Sequence, residues 1–251
     1  MINNEIMNRL GERIKLIQEG GEDGSHLFLV GPIRLPVDLD GETVFFNWYS
    51  WIRTDKKETP TVEQLLNHLP ASKYADQQQS SVLVYGDFQH AEDAMIRMHS
   101  ICHTGDIFGS KRCDCGFQLK QSMRMIKANG TGALFYLANH EGRGIGLFSK
   151  AMAYLLQEDG MDTVDANLAL GFQDDTRSYA DAIVVLKELR GKPVSIITNN
   201  PRKVEALKKA GMDINKRIPL WGEASVHNEK YLSTKVNKSG HFRSEYQTAL
   251  Q

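Results

Sequence analysis

Cysteine is scarce in this chain. Three occur in 251 residues, and an odd set cannot be fully paired, which argues against a disulfide scaffold. Charge of one sign is also lacking. Thirty Lys and Arg stand against 31 Asp and Glu, so a formal net charge of −1 gives no global attraction to DNA, RNA or anionic membranes. No apolar run approaches the ~20 residues that span a bilayer. The leading stretch MINNEIMNRLGERIKLIQEGG is mixed in charge and has no apolar segment of the secretory kind. Together these absences predict a cytoplasmic protein with reduced thiols. There is no internal repeat. A basic stripe interleaved with aromatics is missing too, which disfavours a nucleic-acid-binding module. What remains is 41% hydrophobic residues, enough for a core in one large domain or two small ones.

Periodicity predicts the elements. Ile6, Leu10, Ile14 and Ile17 recur at a 3–4 spacing and predict a helix through the first 25 residues, ended by Gly20-Gly21. HLFLVGPIRLPVDL (26–39) and ETVFFNWYSWI (42–52) read as strands. Residues 54–80 are polar, with an amphipathic piece near 62–69, and read as an insertion or connector. SVLVYGDF (81–88), ALFYL (133–137) and VSIIT (194–198) read as further strands. Leu119, Met123 and Ile126 share a helical face closed by Asn129-Gly130, and DAIVVLKELRG (181–191) is a second amphipathic helix. Another helix follows the Gly-rich turn HEGRGIGL (140–147) and runs to about Glu158. In NNPRKVEALKKAG (199–211), Asn200 is the expected N-cap and Pro201 the first helical residue. Residues 238–251 read as a frayed tail. The alternation predicts an α/β fold, a layered mixed sheet with flanking helices.

All the thiols fall in one short stretch, CHTGDIFGSKRCDCGFQL (102–119). Cys102, Cys113 and Cys115 are spaced C-x10-C-x-C. Three thiolates with an open fourth position suit a catalytic zinc, whereas His99 or His103 as fourth ligand would make the site structural. Three ordinary buried cysteines are the remaining reading. The Pro-Cys-x-x-Cys pair of deaminase zinc sites is absent, and an iron–sulfur cluster wants a fourth cysteine. Gly142, Gly144 and Gly146 alternate, which fits neither the dinucleotide fingerprint nor a P-loop; taken alone the stretch is a tight turn. DDTRSY sets Asp175 and Arg177 two apart, which alone is an acid–base pair in a loop.

Several separated stretches, in order, resemble the GTP cyclohydrolase II family. They are RMHSICHTGDIFGSKRCDCGFQL (97–119), HEGRGIGL, DTVDANLALGFQDDTRSY (162–179), ITNNPRKVEALKKAGM (197–212) and NEKYLSTKVNKSGH (228–241). The resemblance covers about 82–241, with weaker similarity at about 27–50. It divides the chain into leading strands with a polar insertion (1–80), a catalytic core (81–241) and a tail (242–251). It implies a zinc- and magnesium-dependent homodimer. Its reaction would open the imidazole ring of GTP, or of a related purine nucleotide, in riboflavin biosynthesis. The products would be formate, pyrophosphate and a diamino-ribosylamino-pyrimidinone phosphate.

By the same resemblance, Cys102, Cys113 and Cys115 hold Zn2+, and Mg2+ accompanies the triphosphate. Arg97, Gln118, Glu141, Gly142, Arg143, Thr163, Thr198 and Lys203 contact the nucleotide. A carboxylate such as Glu141 can accept from the guanine N1–H and N2–H2 donors. Asp175 is the implied proton acceptor and Tyr154 a hydrogen-bond or proton donor. Arg177 is the implied nucleophile on the α-phosphate. Chemistry favours a charge-stabilising role instead, because arginine is a poor nucleophile while protonated. Two residues depart from the pattern. Ile101 stands where a glutamate usually precedes the first zinc cysteine, and His140 where glutamine is usual. These departures keep two alternatives open: a paralogue with altered substrate or product, and a non-catalytic zinc-stabilised nucleotide-binding protein.

Overall fold

The computed structural model describes residues 3–18, 26–54 and 61–243. Helix α1 (Asn4–Gly11) leads into β1 (Ile14–Gln18), and β2 (His26–Leu39) and β3 (Glu42–Thr54) form a long hairpin. Helix α2 (Val62–His68) precedes β4 (Ser80–Tyr85) and β5 (Met95–Ser100). Next come α3 (Cys115–Ala128), β6 (Gly132–Leu137), α4 (Leu147–Glu158), α5 (Thr163–Ala169) and α6 (Ala180–Leu189). Strand β7 (Val194–Ile197), α7 (Pro201–Lys209), β8 (Ile214–Ile218) and α8 (Glu229–Asn237) complete the described elements.

The eight strands make one sheet in the order β1-β2-β3-β4-β6-β5-β7-β8. Pairing is antiparallel from β1 to β6 and parallel across β6, β5, β7 and β8. This is the mixed, helix-flanked sheet expected from the sequence. Asn47 pairs with Val84, so strands before and after residue 80 share the sheet.

Alternation along each strand feeds two cores. Ala133, Phe135 and Leu137 of β6 join Ile96 and Met98 of β5 beneath Ala182, Val185 and Leu186 of α6 and Leu207 of α7. Leu134 points the other way and packs with Met123 and Ile126 of α3. Phe135 and Ile96 are fully buried, and each burial contributes about 1.5–3 kcal/mol. Because helices cover both faces, the open ground lies beyond the C-terminal ends of β5, β6 and β7. Ligands of open α/β sheets bind at that edge.

Two elements differ from the sequence reading. The first helix stops at Gly11, and Ile14–Gln18 is a strand paired with Val30–His26. Four apolar residues spaced 3–4 apart cannot separate a helix from a helix plus a strand, and sheet pairing buries Ile17 where a helix would not. Gly20-Gly21 lies outside the described residues. The tail begins later than residue 238: Phe242 N donates to Asn199 O at 3.0 Å, and Arg143 Nη2 donates to Ser239 Oγ at 2.9 Å. Residues 244–251 lie outside the described set.

Candidate active site

Strand β5 alternates core and site. Ile96 and Met98 face the core, whereas Arg97 and His99 line the cavity beyond the sheet edge. Arg97 is 6% exposed; its Nη1 donates to Ile197 O at 3.0 Å and its Nη2 to Gln118 Oε1 at 2.6 Å. Gln118 Nε2 in turn donates to Asp114 Oδ2 at 2.6 Å and Leu220 O at 3.1 Å. Lys235 Nζ closes the chain on Asp114 Oδ1 at 2.8 Å. Burial opposes ionisation of Asp114, but the charge and hydrogen bond of Lys235 hold its carboxyl below the usual range.

The chain leaves β5 through Cys102 and turns in a π-helical loop, His103–Ile107. Asp106 pins this loop: its Oδ2 accepts from Cys102 N at 3.0 Å and from the Tyr136 hydroxyl at 3.1 Å, and it also meets His99 Nε2. Cys113 and Cys115 enter from the start of α3. The three sulfurs lie within 4.8 Å of one another, and Cys102 and Cys113 Sγ are 3.6 Å apart. Two sulfurs bound tetrahedrally at about 2.3 Å sit about 3.8 Å apart, so the cluster fits one metal ion. A Cβ on Gly105 would lie 2.8 Å from Cys113 Sγ and 3.1 Å from Cys102 Sγ, so only glycine clears the thiols there. Among the described residues no fourth Cys, His, Asp or Glu joins the cluster. His99 is held by Asp106, and His103 packs edge-on to Phe108. That leaves the open-sided geometry. Hydrogen bonds from the other two thiols hold Cys102 well below the usual thiol range, and the same contact pushes Cys113 up to about 11.

Past β6 the stretch HEGRGIG folds as its glycines allow. Gly142, Arg143 and Gly144 take successive φ values of 60°, 69° and 97°. A left-handed Arg143 is strained, and the strain is typical of a functional turn. Its side chain is tied to Asp174 at 2.5 Å and to Ser239. Glu141, 2% exposed, is already engaged: Oε2 accepts from His103 N at 2.6 Å, and Oε1 from Lys150 Nζ at 2.6 Å and Gly142 N at 3.1 Å. The carboxylate assigned to guanine in the sequence reading thus also braces the thiol loop. Lys150 also reaches Cys102 Sγ at 3.3 Å. One helical turn later on α4, the Tyr154 hydroxyl meets Thr104 Oγ1 at 3.3 Å.

Arg177 and Asp175 form a forked pair, Nε to Oδ1 at 2.7 Å and Nη2 to Oδ2 at 2.6 Å. Arg202 adds a second cation to Asp175 at 3.0 Å. Burial opposes ionisation of Asp175, yet the hydrogen bond and charge of Arg177 hold the carboxyl well below its usual range. Burial disfavours the Arg177 charge, but Tyr179 and Asp175 outweigh it, so the guanidinium stays protonated. After β7, Thr198 Oγ1 accepts from Asn200 N at 3.0 Å, and Asn200 caps α7 through Arg202 N at 2.9 Å, as expected. Lys203, in the first turn of α7, is 5% exposed and donates to Met98 O at 2.7 Å. Burial first, then the charges of Arg97, Arg177 and Lys235, drives its pKa far down. Thr163 opens α5 on the opposite wall.

All the metal-ligand, nucleotide-contact and catalytic residues that the resemblance implies line this one cavity, whereas His103 does not. Sequence reasoning missed Asp106, Asp114, Lys150, Trp221, Tyr231, Lys235 and His241. Lys150 had a signal, its i, i+4 spacing from Tyr154. Asp114 had another, its place between two ligand cysteines. Tyr231, Lys235 and His241 lie in the stretch NEKYLSTKVNKSGH that carries the resemblance, whereas Trp221 had no signal.

Such a site, an open trio of thiols facing buried cations at the edge of a parallel sheet, can hold a metal ion beside groups that suit an anion. A sequence profile described as GTP cyclohydrolase II matches residues 57–219, and the chain belongs to that family. The riboflavin biosynthesis protein RibBA of Bacillus subtilis is 49% identical over 167 residues, 66% of this chain and 42% of that protein. RibBA of Chlorobium phaeovibrioides is 43% identical over 192 residues, 76% of this chain and 47% of its own length. RibBA of Bacillus cereus strain B4264 is 46% identical over 170 residues, 68% and 43% of the two chains. The chain thus spans less than half the length of these relatives. No helix among the described residues is long and apolar enough to cross a membrane.

Proposed function

We propose that this chain hydrolyses GTP, opening the imidazole ring and releasing formate, pyrophosphate and a diamino-ribosylamino-pyrimidinone phosphate. The observation that carries the reading is the convergence, in one cavity, of an open thiol trio with two buried basic side chains, Arg97 and Lys203, whose hydrogen bonds go only to neutral acceptors. Cys102, Cys113 and Cys115 would hold Zn2+, which would supply Lewis-acid activation of water at neutral pH. Mg2+ enters with the triphosphate as part of the substrate. The chain's own groups do the rest. Tyr154, kept protonated by burial, is a proton donor beside the thiol loop. Arg177, firmly charged, stabilises negative charge at the α-phosphate and does not act as a nucleophile. When phosphate draws the guanidinium fork away, Asp175 loses its main stabilising partner and becomes a better proton acceptor.

The test is incubation of pure protein with GTP, zinc and magnesium, with detection of formate, pyrophosphate and the pyrimidine. Wild type should carry about one zinc per chain by elemental analysis, and Cys113→Ser should release no formate. Active protein without zinc sinks the assignment. Ile101, an apolar residue in the lining, favours a second reading, a paralogue with a different product. Formate without the expected pyrimidine would support it. The homodimer and the cytoplasmic location belong to the same proposal; light scattering checks the first.

A further inference from the structure

The family profile ends at residue 219, but the cavity wall does not. Trp221, Tyr231, Lys235, Ser239 and His241 complete it. This segment is fastened at several points. Lys235 Nζ holds Asp114, between two of the thiol residues, at 2.8 Å. Arg143 Nη2 holds Ser239 Oγ at 2.9 Å, His241 N donates to Lys235 O at 3.0 Å, and Phe242 N donates to Asn199 O at 3.0 Å. Lys238 adds ion pairs to Asp162 at 2.6 Å and Asp165 at 2.7 Å on the α5 side.

Two polar atoms of the segment are left over. Trp221 Nε1 and His241 Nδ1 are buried without a partner, and their rings meet edge to face at 6.2 Å. Buried donors are rarely left unpaired, because desolvation is then uncompensated. The charged groups that act most strongly on His241 are Lys235, Lys203, Arg177 and Arg143, all cations. Burial and then these charges push the ring down to about 2, so it is neutral near pH 7 and its nitrogens are one donor and one acceptor. Arg143, Arg177 and Lys235 have carboxylate partners, but Lys203 bonds only a carbonyl, so the acceptor that suits Lys203 and the indole N–H together is an anionic oxygen.

We propose that Trp221 and His241 form a donor pair, supplied by the C-terminal segment, that binds the polyphosphate of the nucleotide. The inference rests on the GTP reading and extends it to residues beyond the family profile. The pair binds and orients the polyphosphate; it passes no proton to the reacting atoms and leaves activation of water and of the α-phosphate to other residues. Its removal therefore acts on affinity more than on turnover.

The experiment uses the full chain as wild type, Trp221→Phe, His241→Phe and His241→Asn. Formate release gives KM and kcat for GTP, and calorimetry gives the affinity for inorganic tripolyphosphate. Trp221→Phe keeps the ring and deletes only the N–H. His241→Asn keeps an N–H donor near the Nδ1 position. Trp221→Phe and His241→Phe should each raise KM and weaken tripolyphosphate binding about ten- to a hundredfold. Their kcat should stay within about threefold, and their melting temperatures should match or exceed wild type. His241→Asn should recover most of the loss. Wild-type KM and affinity in both deletions, or a loss confined to kcat, overturns the pair. If wild type does not turn over GTP, the GTP reading fails, and the tripolyphosphate titration still decides. Weaker binding by the two deletions supports the pair, whereas equal binding or none overturns it.

Discussion

Two buried cations flank β7, and the chain treats them differently. Arg190, just before the strand, is 1% exposed, and its donors are fully spent. Nε and Nη2 reach Pro193 O at 3.0 and 2.8 Å, Nη1 reaches Phe88 O and Ala91 O at 2.6 and 2.8 Å, and Nη2 also reaches Glu92 O at 3.3 Å. Lys203, just after the strand, makes one such bond, to Met98 O, and faces other cations. Arg97 beside it keeps a buried Nε without a partner. At one edge of the sheet charge is consumed by the fold; at the other it is held in reserve. Buried charge is costly unless paired, so the reserve marks where a ligand must supply the partner.

Substitution separates the two roles. Arg190→Met strands four carbonyls and should cost about 3–5 kcal/mol, read as a fall in the urea midpoint. Turnover per folded molecule should survive. An unchanged midpoint would break the comparison, because the fold would not need the guanidinium. Lys203→Met should do the reverse. Removing a buried, repelled charge leaves the melting temperature equal or higher, while kcat/KM for GTP falls about 10²–10³-fold. Stability lost without activity lost would place Lys203 with Arg190.

A neutral group at the same edge gives a pH window. His140, 2% exposed, meets Ser178 O through Nε2 at 2.8 Å and Ser100 Oγ through Nδ1 at 3.1 Å. A carbonyl only accepts, so Nε2 carries the proton and Nδ1 accepts from the serine. Burial first, with the charges of Arg177 and Lys203 against the Ser178 bond and Asp175, lowers its pKa to about 3. The folded value lies below the unfolded one. Stability is therefore full above pH ~6.5 and is lost as pH falls toward the folded pKa, by about 2 kcal/mol at pH 5. Glutamine offers one donor and one acceptor and does not titrate. His140→Gln should thus flatten the urea midpoint between pH 7 and 5 without loss of activity at pH 7.5. An unchanged slope would show that other groups set the acid limit.

Most of this edge was legible in the sequence, because catalytic chemistry there needs rare residue types at short spacing. The thiols, the Gly-rich turn, the Asp175–Arg177 pair and the Asn200-Pro201 helix start all lie within local motifs. Strands β2, β3, β6 and β7 were legible from apolar runs bounded by turn residues. The failures are non-local. Whether Ile14–Gln18 is helix or strand is decided by its pairing with β2, from Ile14 opposite Val30 to Gln18 opposite His26, not by its own spacing. Glu141 looked like a free acceptor because nothing in HEGRGIGL announces His103 N or Lys150. Trp221 lies in no motif, and His241 ends the stretch NEKYLSTKVNKSGH without a role of its own there; only tertiary structure brings both to the cations.

The smallest expected effect tests whether that edge lacks an anion by design. Ile101 is half-buried in the cavity lining, and its N–H donates to Leu137 O at 3.2 Å, so the sheet fixes where its side chain begins. Glu141 is already engaged by His103 and Lys150, and position 101 itself offers no carboxylate to the N–H donors of guanine. Ile101→Glu supplies one. A hydrogen bond to a charged group discriminates by about 1.5 kcal/mol or more, so the preference for GTP over ATP should rise about tenfold. The zinc content should stay at wild-type level, since the thiol trio is untouched. Steady-state kinetics with GTP, GDP and ATP decide the matter. If kcat/KM is the same for every nucleotide in both forms, position 101 contributes packing alone, and base recognition must come from another wall of the cavity.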